Sequence, residues 1–138
     1  MTQPAPEPSS RRAIHIDGFA HRNPIPAAAL LGPLLVSSMV VGYERGTTDV
    51  PQRPESQVEN VFAYVADILE EAGGSWEDVV RMTFYVPDLR VRPAINGAWL
   101  EHFPDPSTRP ARVTHATPTD LGIRAEFVAY LGSSRGRR

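Results

Sequence analysis

The chain has 138 residues, of which 41% are hydrophobic and 22% are charged, and these values are ordinary for one soluble globular domain. Its net charge of −2 at pH 7 gives no general attraction to nucleic acid or anionic lipid, and its lack of cysteine excludes disulfides, a thiolate nucleophile and cysteine metal sites. No apolar run reaches the length of a membrane span and the N terminus lacks the apolar segment of a secretory signal, so we expect a cytoplasmic protein without nucleic-acid or membrane partners.

Composition divides the chain into two tails and one domain. Residues 1–12 are rich in proline and serine and poor in apolar groups, which predicts a disordered N-terminal tail. Residues 133–138 are basic and predict a frayed C-terminal tail. Residues 13–132 are long enough to form a single domain with a substantial core.

Apolar patterning predicts strands in the first part of the domain. Ile14–Asp17 alternates between apolar and polar residues, as a short strand does. Ala27–Leu31 is too short to assign. Leu34–Val41 reads as a continuous apolar run of strand length, which is typical of a strand covered on both faces.

The most distinct predicted helix follows. Ser56 is expected to cap its start, with Glu59 three residues later as in a capping box. Gly73 and Gly74 are expected to end it, because glycine adopts the left-handed terminal conformation at least cost. One apolar stripe recurs at intervals of three and four residues: Val58, Val61, Phe62, Val65, Ile68 and Leu69.

Three further elements lead into the last part of the chain. Ser75–Asp78 predicts a short helical turn with a Ser-x-x-Asp start. Val79–Val86 predicts a strand by its β-branched and aromatic residues. Pro93–His102 predicts a second helix, since proline suits the first helical turn. Its apolar residues are expected on one side: Ile95, Trp99 and Leu100.

The end of the domain predicts a hairpin around the turn Pro118–Gly122. Arg112 and Thr114 share one face of the first strand, and Arg124 and Glu126 share one face of the returning strand. The sequence does not determine whether the two faces coincide. If they do, two cations and a carboxylate share one patch of sheet, which is a place to hold a small carboxylate.

This order of elements predicts an α+β domain in which two helices cover one face of a mixed sheet. The other face then needs a partner, and self-association through the sheet is the natural way to cover it.

Several segments resemble the RidA family, also called YjgF/YER057c/UK114. Gln57–Leu89 resembles its helix, glycine turn and strand, and the segment around Asn96 is similar to its second helix. Pro110-Ala111-Arg112 resembles its Pro-Ala-Arg motif, and Glu126–Tyr130 its last strand. Together the resemblance spans residues 30–131.

The resemblance implies a chorismate-mutase-like fold of the bacillus type, assembled as a homotrimer with active sites in clefts between subunits. It also implies hydrolysis of reactive 2-enamines or 2-imines to 2-keto acids and ammonia, without metal or organic cofactor. In that scheme Arg112 binds the carboxylate of a small substrate, because a guanidinium meets a carboxylate through two parallel hydrogen bonds. A carboxylate on the last strand, here Glu126, holds the attacking water, and Asn96 has a family counterpart.

The chain departs from the family pattern at two places. Arg124 stands where the family has its water-holding glutamate, and Glu126 matches an acidic position two residues on. Ser38 matches the family serine, but Met39 stands where the family has glycine, and the Met39 side chain is expected to narrow the pocket. The predicted catalytic residues are therefore Arg112 and Glu126, with no metal site. The predicted substrate-binding residues are Asn96, Arg124, Thr114, Ser38 and Met39.

Three functions remain open from the sequence. One is the RidA-like deaminase, and another is a non-catalytic trimer that binds an acidic metabolite or a partner protein. The third is altered chemistry on the same scaffold, such as an aminomuconate-type deaminase or a biosynthetic role. Arg124 could bind a second acidic group of a dicarboxylate, or pair with Glu126 as an ordinary salt bridge. The four histidines show no metal-ligand spacing.

Overall fold

A mixed sheet of seven strands forms the centre of the fold. The computed structural model describes residues 10–132. The strand order across the sheet is β1-β2-β3-β7-β5-β6, and the two-residue β4 also pairs with β7. Only the β5–β6 pair is parallel. The elements are β1 (Arg12–Ile14), β2 (Ala28–Leu31), β3 (Leu34–Ser37), β4 (Val40–Val41), α1 (Pro54–Ala72), β5 (Val79–Val86), α2 (Arg92–His102), β6 (Ala111–Ala116) and β7 (Arg124–Tyr130).

The domain begins slightly earlier than its predicted boundary. Arg12, the last residue of the predicted tail, pairs with Leu30 as the first residue of β1. Residues 1–9 and 133–138, which make up the rest of the predicted tails, lie outside the described residues. Ala27–Leu31, which the sequence left unassigned, supplies β2.

Both helices pack on the same face of the sheet, as predicted. Phe84 of β5 points into this layer, where its ring lies 6.1 Å from Phe62 of α1 and 6.3 Å from Trp99 of α2. Ile95 and Trp99 of α2 are buried, but Leu100, predicted on the same side, is 53% exposed. The next residue along a helix turns away by about 100°, so Leu100 points out of the core. Within residues 10–132, no helix has the length and apolar character needed to cross a membrane.

The first helix starts earlier than its predicted cap. Pro54 occupies the first turn, Arg53 is the N-cap residue, and no side chain caps the helix there. The prediction of Ser56 as the cap was wrong, because the fixed φ of proline already suits the first helical position two residues upstream. The predicted end is confirmed: Gly73 has φ of 86°, and Gly74 N–H donates to the Leu69 carbonyl.

The predicted strand Leu34–Val41 is interrupted. β3 and β4 both pair with β7, but Ser38 and Met39 separate them, and the pairings Val36 to Val128 and Val40 to Ala125 leave one extra residue on this side. The segment therefore contains a bulge. Ser37 Oγ accepts a hydrogen bond from Phe127 N–H across it. The prediction of cover on both faces is also wrong within the chain, since Leu34 and Val36 are 42% and 43% exposed.

The predicted final hairpin is wrong, because β6 and β7 do not pair. β5 lies between them, parallel to β6 and antiparallel to β7. Parallel strands need a crossover connection, and α2 supplies it between β5 and β6. The Pro118–Gly122 turn then carries the chain past β5, and Thr117 N–H donates to the Val86 carbonyl on the way.

A buried amide holds the start of β7 in place. Gln57 of α1 accepts a hydrogen bond from Ile123 N–H at 2.9 Å and donates one to the Pro51 carbonyl at 2.7 Å. Its side chain also fills the space next to Gly122, where a Cβ would lie 2.5 Å from Gln57 Oε1. We expect Gln57→Ala to lower the free energy of unfolding by about 2–3 kcal/mol, because it leaves a buried N–H without a partner. Urea unfolding at fixed protein concentration measures this loss.

The matched control for that variant is Gln52→Ala, which removes an exposed amide near the same end of the helix. We expect its free energy of unfolding to stay within about 0.5 kcal/mol of the parent value. Equal losses in the two variants would show that Gln57 does not hold β7.

The face of the sheet opposite the helices, called the open face below, is largely apolar and uncovered. In the described part of the chain, several large apolar side chains on this face are about 40–55% exposed: Leu31, Leu34, Val36, Val113 and Tyr130. Exposed apolar side chains of this kind favour contact with another protein surface. Self-association through this face stays a prediction.

Candidate functional site

The sheet register places the predicted site residues on two different faces. Arg112 pairs with Met82 of β5 and therefore points to the helix side, as does Thr114 two residues on. Glu126 pairs with Thr83, and Arg124 with Tyr85, so these two side chains point to the open face. The two faces do not coincide, and one chain does not bring Arg112 and Glu126 together.

Arg112 lies half-buried on β6, at the edge of the sheet. Its guanidinium carbon lies 5.3 Å from the ring centre of Trp99 and 5.6 Å from that of Phe84. Burial lowers the pKa of Arg112, and the positive charge of Arg92 lowers it further. No carboxylate among residues 10–132 forms an ion pair with Arg112. The side chain is positioned by aromatic rings and has its charge available to a ligand.

An open cleft of about 540 Å³ lies in front of Arg112. Asn96, on the first turns of α2, lines the same cleft, so the structure brings these two predicted residues together. Arg90 is held by Asp88, whose carboxylate accepts hydrogen bonds from its guanidinium at 2.8 and 3.1 Å. The cleft, called the arginine cleft below, is lined by Leu89, Arg90, Arg92, Pro93, Asn96 and Arg112.

A second polar group lies on the open face. Tyr85 OH donates to Glu126 Oε2 at 3.1 Å, and Arg124 donates to Thr117 Oγ1 at 2.8 Å while its guanidinium lies 5.8 Å from the Tyr85 ring centre. Burial raises the pKa of Tyr85, and the hydrogen bond to Glu126 raises it further. Arg124 and Glu126 do not pair with each other. We call Tyr85, Thr117, Arg124 and Glu126 the open-face cluster.

Burial also leaves Arg124 incompletely satisfied. Its Nε is buried and has no hydrogen-bond partner within the described residues. The desolvation lowers the pKa of its guanidinium, although the nearby Tyr85 opposes this effect. A buried donor without a partner is costly, so the position of Arg124 depends on its hydrogen bond to Thr117 and its contact with the Tyr85 ring.

Ser38 and Met39 lie in the bulge between β3 and β4, close to Arg124 along β7, since Val41 pairs with Arg124. Ser38 N–H donates to the Ala27 carbonyl, and the Met39 carbonyl is 2.7 Å from His21 Nε2. The bulge is thus held from both sides by hydrogen bonds. These two predicted residues accompany the open-face cluster rather than the arginine cleft.

Sequence reasoning missed several residues of the two groups. Arg92 falls between the predicted elements and received no role, and Tyr85 was predicted only as part of the strand Val79–Val86. Tyr85 lies two residues after Thr83 on β5, so the sequence does indicate that both side chains point to the same face of the sheet. The contact between His21 and the Met39 carbonyl joins segments that are distant along the chain, and no local pattern indicates it. Within the described part of the chain, no group of three or more His, Cys, Asp or Glu side chains could hold a metal ion.

The fold and the cleft define a class: a small α+β protein with a half-buried arginine in an open cleft at the edge of its sheet. The family model described as Endoribonuclease L-PSP matches residues 20–121. The chain therefore belongs to the RidA family, the family that its motifs resemble and that includes these L-PSP proteins, and the resemblance is confirmed.

Relatives and solved structures agree with this assignment. A RutC family protein of Aquifex aeolicus is 29% identical over 129 residues, covering 91% of each chain. RidA from the Antarctic bacterium Psychrobacter sp. PAMC 21119 is 25% identical with a TM-score of 0.78, covering 86% of this chain and 98% of that one. Yeast Mmf1, at 19% identity, has the same fold with a TM-score of 0.78 over 88% of this chain and 98% of its own. The predicted fold class is confirmed, while the trimer stays a prediction.

Proposed function

We propose that the protein hydrolyses a reactive 2-enamine or 2-imine of a small carboxylic acid to the 2-keto acid and ammonia, in a cleft between two copies of the chain. The observation that carries this proposal is Arg112, half-buried against two aromatic rings and without a carboxylate partner in the described chain. A desolvated guanidinium in an open cleft binds an anion strongly, and its planar fork matches a carboxylate. Asn96 offers an amide to the same ligand.

The proposal needs a second copy because of the sheet geometry. Arg112 and Glu126 point to opposite faces of one sheet. If one substrate contacts both, the two residues must come from different chains. Packing the apolar open face of one copy against another would cover that face, and β6 is an edge strand whose outer side is open. A closed ring of three copies is the arrangement that the family implies.

The chemistry requires only a positioned water molecule. The Glu126 carboxylate accepts a proton from water as the water oxygen bonds to the imine carbon, which gives a tetrahedral carbinolamine. With the imine nitrogen protonated at the start, Glu126 then passes its proton to the carbinolamine nitrogen, the carbon–nitrogen bond breaks and ammonia leaves with the bonding electron pair. The hydroxyl proton returns to the Glu126 carboxylate as the carbonyl forms. Tyr85 holds Glu126 by its hydroxyl and can share this proton. No metal or organic cofactor takes part in the proposed reaction, and a cytoplasmic location would suit a small metabolite substrate.

A second candidate function is non-catalytic binding of an acidic metabolite. Arg124 favours it, because the resemblance places this cation where RidA proteins have their water-holding glutamate. The names of several similar structures refer to endoribonucleases or translation inhibitors. We do not extend those activities to this chain, since its net charge of −2 gives no attraction to the phosphate backbone.

Ammonia release tests the proposal directly. An amino acid oxidase generates a 2-imino acid in situ, and a coupled assay measures the rate at which ammonia appears with and without the purified protein. We expect the protein to raise this rate above that of spontaneous hydrolysis. A rate equal to the spontaneous one, together with carboxylate binding that needs Arg112, would favour the non-catalytic candidate.

A further inference from the structure

Arg112 is not the only uncompensated cation in the arginine cleft. Arg92, the first residue of α2, lines the same cleft, and its Nε donates to the Leu89 carbonyl at 3.3 Å. Like Arg112, it has no carboxylate partner among the residues the structure describes. Arg90 differs, because Asp88 neutralises it and Arg90 in turn lowers the pKa of Asp88 to about 2. The cleft therefore presents two guanidinium groups whose charges nothing in the described chain balances.

Two like charges in one cleft oppose each other unless a ligand balances them. Burial lowers the pKa of Arg112 most, and the positive charge of Arg92 in the same cleft lowers it further. A ligand with one carboxylate would neutralise half of this charge and leave the second arginine unpaired. A ligand with two acidic groups would satisfy both guanidinium groups.

We infer that the arginine cleft selects a substrate with two acidic groups, with Arg112 binding the carboxylate next to the reacting carbon and Arg92 binding the second. This inference rests on the proposed function for the reaction itself, but the binding of a diacid does not depend on turnover. It makes Arg92 the residue that determines specificity and Arg112 the residue that anchors every substrate.

The structure offers a second cation besides the one that the sequence indicated. Binding of a second acidic group by Arg124 was one of two alternatives, and Arg124 lies on the open face, where it contacts Thr117 and the Tyr85 ring. Arg92 shares a cleft with Arg112 in the same chain. Its position does not depend on how copies assemble.

The test compares two imines of equal chain length, 2-iminoglutarate with two carboxylates and 2-iminopentanoate with one. We expect the parent protein to prefer the diacid, and Arg92→Ala to lower kcat/KM for the diacid by about tenfold while the monoacid changes by less than about twofold. Arg92→Lys keeps the positive charge but lacks the planar fork of the guanidinium. Its kcat/KM for the diacid is therefore expected to lie between the values for the parent and for Arg92→Ala. Arg90→Ala, which removes an already paired cation from the rim, is expected to cost the diacid less than Arg92→Ala.

Calorimetric titration with 2-oxoglutarate and 2-oxopentanoate gives a second measurement that needs no turnover. Tighter binding of 2-oxoglutarate that Arg92→Ala weakens selectively supports the inference even if neither imine is hydrolysed, in which case the proposed reaction alone is wrong. If both imines are hydrolysed with equal efficiency and Arg92→Ala affects them equally or not at all, the inference is overturned while the deaminase stands.

Discussion

Replacing Arg112 with alanine is expected to lower kcat/KM for imine hydrolysis by a factor of about 10² or more. The guanidinium would form two charge-assisted hydrogen bonds with the substrate carboxylate, each contributing about 1.5–3 kcal/mol. These bonds orient the imine carbon toward the attacking water, so their loss affects both binding and positioning. Steady-state ammonia release at several substrate concentrations measures the effect, and the ratio of kcat/KM values gives the lost transition-state stabilisation.

Two further variants separate this role from a general effect of charge. Arg112→Lys keeps a cation but lacks the planar fork and the stacking on Trp99 and Phe84, so we expect a loss that is intermediate. Arg53→Ala removes a cation whose side chain is 75% exposed and pairs with Glu55 at 3.5 Å, and its activity should match the parent. Circular dichroism establishes that each variant is folded. A folded Arg112→Ala protein with the parent rate would remove Arg112 from the mechanism.

Local signals in the sequence predicted most of the elements. The stripe on α1 and its glycine end could be read directly, because both arise from residues within a few turns of one another. β5 matched its predicted bounds for the same reason, since its β-branched and aromatic residues are contiguous. The predicted start of α1 was wrong because Pro54 and Ser56 both favour the beginning of a helix, and the helix begins at Pro54.

Pairing between distant segments could not be read in the same way. The turn residues before β7 indicated a hairpin with β6, yet β7 pairs with β5 and leaves β6 at the edge. The sequence signal for a turn is local, whereas the strand that β7 pairs with depends on the whole sheet. Because α2 connects β5 to β6 as parallel neighbours, β7 pairs with the other side of β5. The bulge at Ser38 and Met39 was missed for a similar reason, because it is visible only in the register against β7.

The candidate site shows the same division. The Pro-Ala-Arg motif identified Arg112, and Asn96 was found in the same cleft by the structure. The sequence left open whether Glu126 and Arg112 share one face, because this depends on which strands pair, and the structure places the two side chains on opposite faces. Arg92 lies one residue before the predicted helix Pro93–His102, and no local signal in the sequence indicates that it lines the same cleft as Arg112.

Mixing two inactive variants is expected to restore activity if the site is shared between copies. Arg112→Ala and Glu126→Gln each remove one half of the proposed site, and those halves point to opposite faces of one chain. In every mixed ring of three, one of the three clefts would combine an intact Arg112 from one chain with an intact Glu126 from its neighbour. We therefore expect about one third of the parent activity after coexpression of the two variants with different affinity tags, followed by purification on both tags in turn.

The outcome separates a shared site from a site within one chain. If Arg112 and Glu126 of the same chain acted together, every chain in the mixture would lack one of them and coexpression would restore nothing. Arg112→Ala coexpressed with a second copy of Arg112→Ala that carries the other tag serves as the matched control, because no pairing of these chains rebuilds an intact cleft. Recovery in the first mixture and not in the second would establish both the role of Glu126 and the contribution of a second copy, since neither alone predicts that pattern.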